Sequence, residues 1–152
     1  MPTNQDFKDL FACFAAASLR FIVVGAHAVM HYTLPRYTKD LDVWIDATEE
    51  SARRAHQALV AFGAPLTGVS PADLGRPGMV LQIGVEPNRI DVIVGLEGLV
   101  FENAYAWSVG TTYGGVPIRV LSLDDLIETK QRAGRPQDLI DIEWLRRDRP
   151  RR

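Results

Sequence analysis

The sequence contains a series of short apolar runs, and these runs constrain the fold more than any other feature. The run Arg20–Val24 is rich in β-branched residues and ends at Gly25, and the runs Asp40–Ile45 and Arg89–Val94 have a similar composition. Apolar runs of this length are too short for buried helices and are typical of buried strands. Segments with helical spacing lie before, between and after them. The order of elements therefore predicts an α+β (or α/β) domain in which helices flank a mixed β-sheet.

Capping and turn residues predict the ends of the other elements. Three helices are expected to begin at capping residues, namely Thr3, Thr48 and Ser122. Residues 64–78 are rich in glycine and proline, which predicts a loop with at most one helical turn. Two β-hairpins are predicted, one joining strands 79–85 and 89–94 and the other joining strands 107–112 and 116–120.

The length and composition predict a single domain. The chain has 152 residues, of which 47% are hydrophobic and 24% are charged. We expect one domain over residues 1–146 and a basic C-terminal tail without fixed structure over residues 147–152. The three tryptophans, Trp44, Trp107 and Trp144, are expected to pack in the core.

The charge balance limits the partners that the whole surface could attract. The chain carries 17 basic and 19 acidic residues, a formal net charge of −2, so contact with nucleic acid would need a local basic patch. We expect no membrane partner, because no run approaches the roughly 18 apolar residues of a membrane span. The N-terminus has no secretory signal pattern, so a cytoplasmic location is expected.

Acidic residues interrupt two of the predicted strands. Asp40 and Asp42 are separated by one residue, so on a strand their side chains project from the same face. Asp91 is a third acid, in an otherwise apolar strand where an unpaired charge would cost free energy. Neighbouring carboxylates repel each other unless a cation compensates, and a hard divalent ion prefers oxygen ligands. We therefore expect a metal site, the alternative being a solvated strand face that pairs with Arg36 or Lys39.

Three carboxylates on strands could hold two metal ions about 4 Å apart, an arrangement suited to phosphoryl or nucleotidyl transfer. Such chemistry also needs a cradle for phosphates. Gly25 could provide it, because it follows a strand and opens a predicted helix whose first N–H groups attract anions. The absence of a side chain at Gly25 would let a phosphate approach closely.

The order of these motifs resembles the DNA polymerase β-like nucleotidyltransferase superfamily. The motifs are Phe21-Ile-Val-Val-Gly25-Ala, then Arg36-Tyr-Thr-Lys-Asp40-Leu-Asp42, and later Arg89-Ile-Asp91-Val. They are most similar to the minimal nucleotidyltransferases that include toxins of type IV toxin-antitoxin pairs. The resemblance covers about residues 20–145 and implies a palm-like nucleotidyltransferase fold.

The resemblance also implies roles for individual residues. Asp40, Asp42 and Asp91 would be the catalytic residues and metal ligands, holding two Mg²⁺ ions or Mn²⁺ in their place. The nucleotide-binding residues would be Gly25, Ala26, Arg36, Thr38, Lys39 and Lys130. Asp138 and Asp141 resemble the acids of a following Arg-Pro-x-Asp-x-x-Asp segment. Ala26 departs from the family pattern, which has glycine or serine there.

The function implied is transfer of a nucleoside monophosphate from a nucleoside triphosphate such as ATP to an acceptor hydroxyl, with release of pyrophosphate. The acceptor could be RNA, especially a tRNA end, or a protein, and a cognate antitoxin could be a partner. Two alternatives stay open on the sequence. One is a catalytically degenerate module of the same fold that binds a nucleotide or a partner, and the other is a metal-dependent phosphoesterase that uses the same acids.

Overall fold

A computed structural model of the protein describes residues 3–35, 40–85 and 87–147. The helices are α1 Gln5–Ala16, α2 Gly25–Tyr32, α3 Glu49–Phe62, α4 Phe101–Trp107, α5 Leu123–Ala133 and α6 Pro136–Arg147, with a 3₁₀ turn at Pro71–Gly75. The strands are β1 Phe21–Val24, β2 Asp40–Ile45, β3 Val80–Ile83, β4 Arg89–Val94, β5 Val109–Tyr113 and β6 Val116–Val120.

The six strands form one sheet in the order β3-β4-β2-β1-β6-β5. Strand β2 is parallel to β4 and β1 is parallel to β6, whereas the pairs β1/β2, β3/β4 and β5/β6 are antiparallel. The sheet is therefore mixed, and the predicted α+β class is confirmed. Both predicted hairpins are present, as β3/β4 and β5/β6.

The strand directions bring three chain segments to one edge of the sheet. Strand β1 ends at this edge and leads directly into α2. Because β2 is antiparallel to β1 and β4 is parallel to β2, the first residues of β2 and β4 lie at the same edge. The register places Asp42 beside Val24 on one side and beside Asp91 on the other.

The two faces of the central strands have different characters. Helix α1 packs on one face, where Phe11 stacks on Phe21 with ring centroids 5.5 Å apart. The alternating residues of β2 and β4 that point to this face are fully buried: Leu41, Val43, Ile45, Ile90, Val92 and Val94. The other face begins with the acids and continues to Trp44, which packs on Phe101 of α4. Because successive side chains of a strand point to opposite faces, β2 and β4 contribute to the core on one face and to the acidic site on the other.

Several helix ends follow the predicted capping chemistry. The side chains of Thr48 and Ser122 accept hydrogen bonds from backbone N–H groups in the first turns of α3 and α5. Helix α3 ends at Phe62 and is followed by Gly63, which has a φ of 90°. The prediction for α1 is wrong by one residue, because Asn4 accepts the hydrogen bonds there and Thr3 does not. An asparagine side chain reaches the N–H groups of the first turn as well as threonine does.

Two expectations about aromatic residues are wrong. Trp44 is buried as predicted, but Trp107 is 74% exposed and Trp144 is 41% exposed. Trp107 ends helix α4 and does not belong to the predicted strand 107–112, which starts two residues later at Val109.

The last described helix extends to Arg147, and most of the predicted basic tail lies outside the described residues. The division into a domain over 1–146 and a tail over 147–152 stays a prediction. Among the described residues, no helix combines the length and the apolar character needed to cross a bilayer.

Candidate active site

The carboxyl groups of Asp42 and Asp91 form the centre of the candidate site. Their Cα atoms are register partners on the parallel strands β2 and β4, so both side chains project from the same face of the sheet. A hydrogen bond between the two carboxyl groups is one of the causes that raise the pKa of Asp42. The side chain of Asp91 is only 14% exposed, and its Oδ1 atom is buried with no hydrogen-bond partner in the described part of the chain.

Gly25 lies directly against Asp42. A Cβ atom at position 25 would be 3.1 Å from Cγ of Asp42 and in collision with its Oδ2 atom. Gly25 also has a φ of 67°, a backbone conformation that L side chains rarely adopt. Glycine is therefore required here by both the backbone and the neighbouring carboxylate, and the start of α2 approaches the acids closely.

The first turn of α2 keeps backbone N–H groups that no side chain of the described residues caps. The N-cap of the helix is Val24. The N–H groups of the first turn lack intrahelical partners and carry the positive end of the helix dipole. Ala26 occupies the next position, and because its side chain has no polar atom, only its backbone could bind an anion.

The electrostatics of the pair match a site built for a cation. The pKa of Asp42 is raised to about 7, mainly by burial and also by the charges of Asp91 and Asp40 and the hydrogen bond to Asp91. Burial also raises the pKa of Asp91. Arg89 opposes both shifts but does not cancel them. A bound divalent cation would remove the repulsion and favour both ionised forms.

Asp40 has a different environment from the other two acids. It lies on the same face of β2, but its Oδ2 atom accepts a hydrogen bond from Nη2 of Arg89 at 2.5 Å. Arg89 also lies 3.8 Å from Oδ1 of Asp91, beyond hydrogen-bond distance. Arg89 therefore partly neutralises the acidic face. In the register of β2 and β4, Asp42 is paired with Asp91, whereas Asp40 is paired with Arg89.

The described residues do not form a ready-made metal cage. Within them, no group of three or more histidine, cysteine, aspartate or glutamate side chains is arranged to hold a metal ion. Mg²⁺ is commonly bound by one or two carboxylates together with substrate phosphates, so it does not require such a cage. Asp91 beside Asp42 fits this binding mode, because its buried Oδ1 atom accepts no hydrogen bond from the described residues. Asp40 as a ligand, and a second ion, stay predictions.

Lys130 is part of a buried ion-pair network between α5 and α6. Its Nζ atom lies 3.1 Å from Asp138 and 3.0 Å from Asp141, whose side chains are each 2% exposed. The guanidinium of Arg135 donates a hydrogen bond of 2.7 Å to Asp138 on the outer side of the network. The ammonium of Lys130 is thus committed to two carboxylates in this structure, and its role in nucleotide binding stays a prediction.

Arg36, Thr38 and Lys39, which the resemblance links to nucleotide binding, lie outside the described residues. Their roles stay predictions.

Two arginines near the acids were not predicted as site residues. Arg89 precedes Asp91 by two residues on a strand, and this spacing places both side chains on one face. Arg135 is 75% exposed, and its pKa is raised mainly by Asp138, with a smaller contribution from Asp42. The alternation along β4 could have identified Arg89, but the approach of Arg135 depends on how α5 and α6 pack.

The fold is that of a nucleotidyltransferase. A provisionally named nucleotidyltransferase from Thermotoga maritima, known from a crystal structure, superimposes with a TM-score of 0.61. The two sequences are 16% identical, and the match covers 94% of this chain and 92% of that chain.

Residues 3–150 match the model of the family described as nucleotidyl transferase of unknown function, DUF2204. The chain belongs to this family. Comparison with curated proteins gives no match.

Proposed function

We propose that the protein is a metal-dependent nucleotidyltransferase that moves a nucleoside monophosphate from a nucleoside triphosphate to an acceptor hydroxyl. The observation that carries the proposal is the pairing of Asp42 with Asp91 on adjacent strands beside Gly25, at the start of α2. A carboxylate pair that is costly without a cation lies beside a backbone cradle suited to phosphates. Membership of a nucleotidyl transferase family supports the same chemistry.

The proposal assigns separate roles in binding the phosphates, the metal ion and the acceptor proton. Gly25 and the first N–H groups of α2 hold the phosphates, and the lack of a Cβ at Gly25 keeps them close to Asp42. Asp42 and Asp91 would hold Mg²⁺, which when bound supplies positive charge for the triphosphate and lowers the pKa of the acceptor hydroxyl. Asp91 would also take the proton that the acceptor loses.

The reaction balances without any further reagent. A new bond forms between the acceptor oxygen and the α-phosphorus, and the bond from the α-phosphorus to the bridging oxygen of the β-phosphate breaks. The electron pair of that bond leaves with pyrophosphate, and the acceptor proton passes through Asp91 to solvent. Ala26 lacks the hydroxyl that serine would offer to a phosphate, so the backbone makes the phosphate contacts at this position.

The acceptor and the biological role extend the proposal. The Arg-x-Thr-Lys-Asp-x-Asp arrangement supports a likeness to minimal nucleotidyltransferase toxins. We therefore propose RNA, in particular a tRNA end, or a protein hydroxyl as the acceptor, with a cognate antitoxin as a partner.

A transfer assay with labelled nucleoside triphosphates and Mg²⁺ tests the proposal. The acceptors offered are total RNA and the protein itself. We expect the Asp42→Asn and Asp91→Asn variants to lose transfer by at least about 100-fold, because each removes a charge that acts at the reacting phosphate. Asp9→Asn is the matched control, because Asp9 is an exposed aspartate on α1.

The products distinguish the alternatives. Release of pyrophosphate with a labelled acceptor supports transfer, whereas release of inorganic phosphate alone would indicate a phosphoesterase. Nucleotide binding without any product would indicate a binding module of the same fold. Full transfer activity in Asp42→Asn, with the fold preserved by circular dichroism, would refute the mechanism.

A further inference from the structure

The turn between α5 and α6 carries an exposed cation, Arg135. Helix α5 ends at Ala133, and Arg135 is the residue immediately before the first residue of α6. The side chain of Arg135 is 75% exposed. The side chain of Lys130, by contrast, is 11% exposed, and its ammonium is paired with two buried carboxylates. Of these two cations, Arg135 is the one that a ligand can reach from solvent.

Helix packing brings this turn towards the acidic site. Helices α2 and α6 line one small cavity, to which α2 contributes Val29 and Thr33 and α6 contributes Asp141 and Trp144. The two helices are therefore neighbours. Helix α2 begins beside the acids, so an end of α6 that lies near the start of α2 also lies near the acids.

Electrostatics identify the start of α6 as that end. The pKa of Arg135 is raised first by its hydrogen bond to Asp138, and the charge of Asp42 also contributes to the rise. Because the interaction between two charges weakens with distance, Arg135 lies near Asp42. Gly25, the first residue of α2, lies against the same carboxylate. Asp42 therefore lies close both to the phosphate cradle and to the exposed guanidinium.

Asp138 fixes the orientation of the guanidinium. The Nε atom of Arg135 donates a hydrogen bond of 2.7 Å to Oδ2 of Asp138, and Nη2 donates a longer one of 3.4 Å to Oδ1. A guanidinium has five N–H donors in a planar fork, so Asp138 uses only one edge of it. No residue in the described part of the chain accepts a hydrogen bond from Nη1 of Arg135. The outer edge, made by Nη1 and Nη2, is thus left for a ligand.

We propose that Arg135 binds the β- and γ-phosphates of the nucleoside triphosphate through this outer edge. The inference rests on the proposed function and adds the cation that holds the leaving pyrophosphate. The α-phosphorus has to lie at Asp42 and Asp91, where the acceptor attacks, and the other two phosphates extend away from that point.

Arginine suits this position for two reasons. Its fork matches the oxygens of a phosphate, and its charge does not depend on pH in the range where proteins are folded. Negative charge develops on the pyrophosphate as its bond to the α-phosphorus breaks, and a cation already held in place there would stabilise that charge. The hydrogen bonds of Arg135 to Asp138 supply this orientation before the nucleotide binds.

The test compares the affinities of the full-length protein for a nucleotide with three phosphates and for one with a single phosphate. The probes are α,β-methylene-ATP, which cannot transfer its nucleoside monophosphate, and AMP, each titrated calorimetrically with Mg²⁺. Arg135→Gln should weaken binding of the triphosphate about 10-fold or more, the loss expected for hydrogen bonds from a charged donor. Its affinity for AMP should equal that of the wild type. Arg135→Lys should lose less affinity for the triphosphate, because it keeps the charge but not the fork.

Arg132→Gln is the matched control. Arg132 lies in the last turn of α5, its side chain is 50% exposed, and it is paired with Glu128 on the same helix. This variant removes the same charge three residues away, and its affinities for both nucleotides should equal those of the wild type. Equal losses in Arg132→Gln and Arg135→Gln would overturn the inference, because they would indicate general attraction by positive charge.

Inorganic pyrophosphate gives an independent readout. It should displace the triphosphate analogue from the wild type, and Arg135→Gln should need about 10-fold more pyrophosphate for the same displacement. Equal losses of affinity for AMP and for the analogue would overturn the inference, because they would mean that Arg135 acts through the packing of α6. Wild-type affinity for the analogue in Arg135→Gln would overturn it as well and leave the proposed function standing. If the wild type binds neither nucleotide, the proposed function itself fails.

Discussion

At the scale of single residues, Gly25 makes the most specific demand on the sequence. Two independent constraints meet there, the positive φ of 67° and the collision of a Cβ with Oδ2 of Asp42. A positive φ alone would cost a non-glycine residue about 1–2 kcal/mol. The collision adds a second effect, because it must displace one of the two carboxylates that define the site.

Gly25→Ala should therefore lose both stability and transfer activity. At a glycine that has a positive φ but no neighbour in the way of a Cβ, substitution by alanine should reduce stability alone. Gly68 is such a control, since its φ is 78° and a Cβ there would have nothing within 4 Å. We expect Gly68→Ala to be destabilised by about 1 kcal/mol with transfer unchanged. Thermal unfolding and the transfer assay measure the two effects. If Gly25→Ala keeps wild-type activity, Gly25 is not the phosphate cradle.

At the scale of elements, the network of Lys130, Asp138 and Asp141 holds α5 against α6. Replacing Lys130 by methionine keeps the length of the side chain but removes the ammonium that both buried carboxylates share. Breaking a buried ion pair on one side typically costs about 3–5 kcal/mol, because it leaves a buried charge poorly compensated.

Lys130→Met should therefore be strongly destabilised in urea unfolding. Arg53→Met is the control, because the pair of Arg53 with Glu50 is exposed on α3 and should contribute little to stability. If Lys130 also binds phosphates, the KM for the nucleotide should rise in the folded fraction. A loss of stability no larger than that of Arg53→Met would contradict the structural role.

The helices and strands that the sequence predicts are those with a clear local pattern, either a run of β-branched residues or a capping side chain. Strands β1, β2 and β4 have dense runs of β-branched residues, and α3 and α5 have side-chain caps, so these were predicted correctly. Helix α4 is not predicted from the sequence, because it has only seven residues and the side chain of Val100, its N-cap, makes no capping hydrogen bond. Short uncapped helices depend on tertiary packing, here of Phe101 against Trp44.

The candidate site was predictable only in part for a similar reason. The alternation in β2 and β4 predicts which face each aspartate occupies, because side-chain direction is a local property of a strand. Contact between Asp42 and Asp91 depends on strand order and register, which pair residues distant in sequence. The partners of Lys130 depend on helix packing as well. Lys130, which the resemblance linked to nucleotide phosphates, is therefore paired with Asp138 and Asp141.

At the scale of the whole molecule, the acidic pair couples folding to pH. The pKa of Asp42 is about 7 in the folded protein and 3.8 in its unperturbed state, so between these values the folded protein binds more protons than the unfolded chain. The metal-free protein should therefore lose stability as the pH rises from about 4 to 7. Asp91 contributes in the same direction. Burial lowers the pKa values of His27 and His31, which gives an opposite contribution below about pH 6.5.

Mg²⁺ should reverse this loss, because binding to the folded state alone stabilises it by RT ln(1 + [Mg²⁺]/Kd), about 2.7 kcal/mol at 100 times Kd. The melting temperature at pH 8 should then rise by several degrees, with Mn²⁺ acting likewise.

The measurement compares melting temperatures from pH 5 to 8, in chelator and in excess Mg²⁺, for the wild type and Asp42→Asn. Asp42→Asn removes one acid of the pair and retains both histidines, so the difference between the two proteins reports the contribution of the Asp42–Asp91 pair. Potassium chloride of equal ionic strength controls for screening. An equal response to Mg²⁺ in wild type and Asp42→Asn would mean that the ion binds elsewhere, because a site made by Asp42 and Asp91 cannot keep its affinity after one of its two carboxylates becomes neutral.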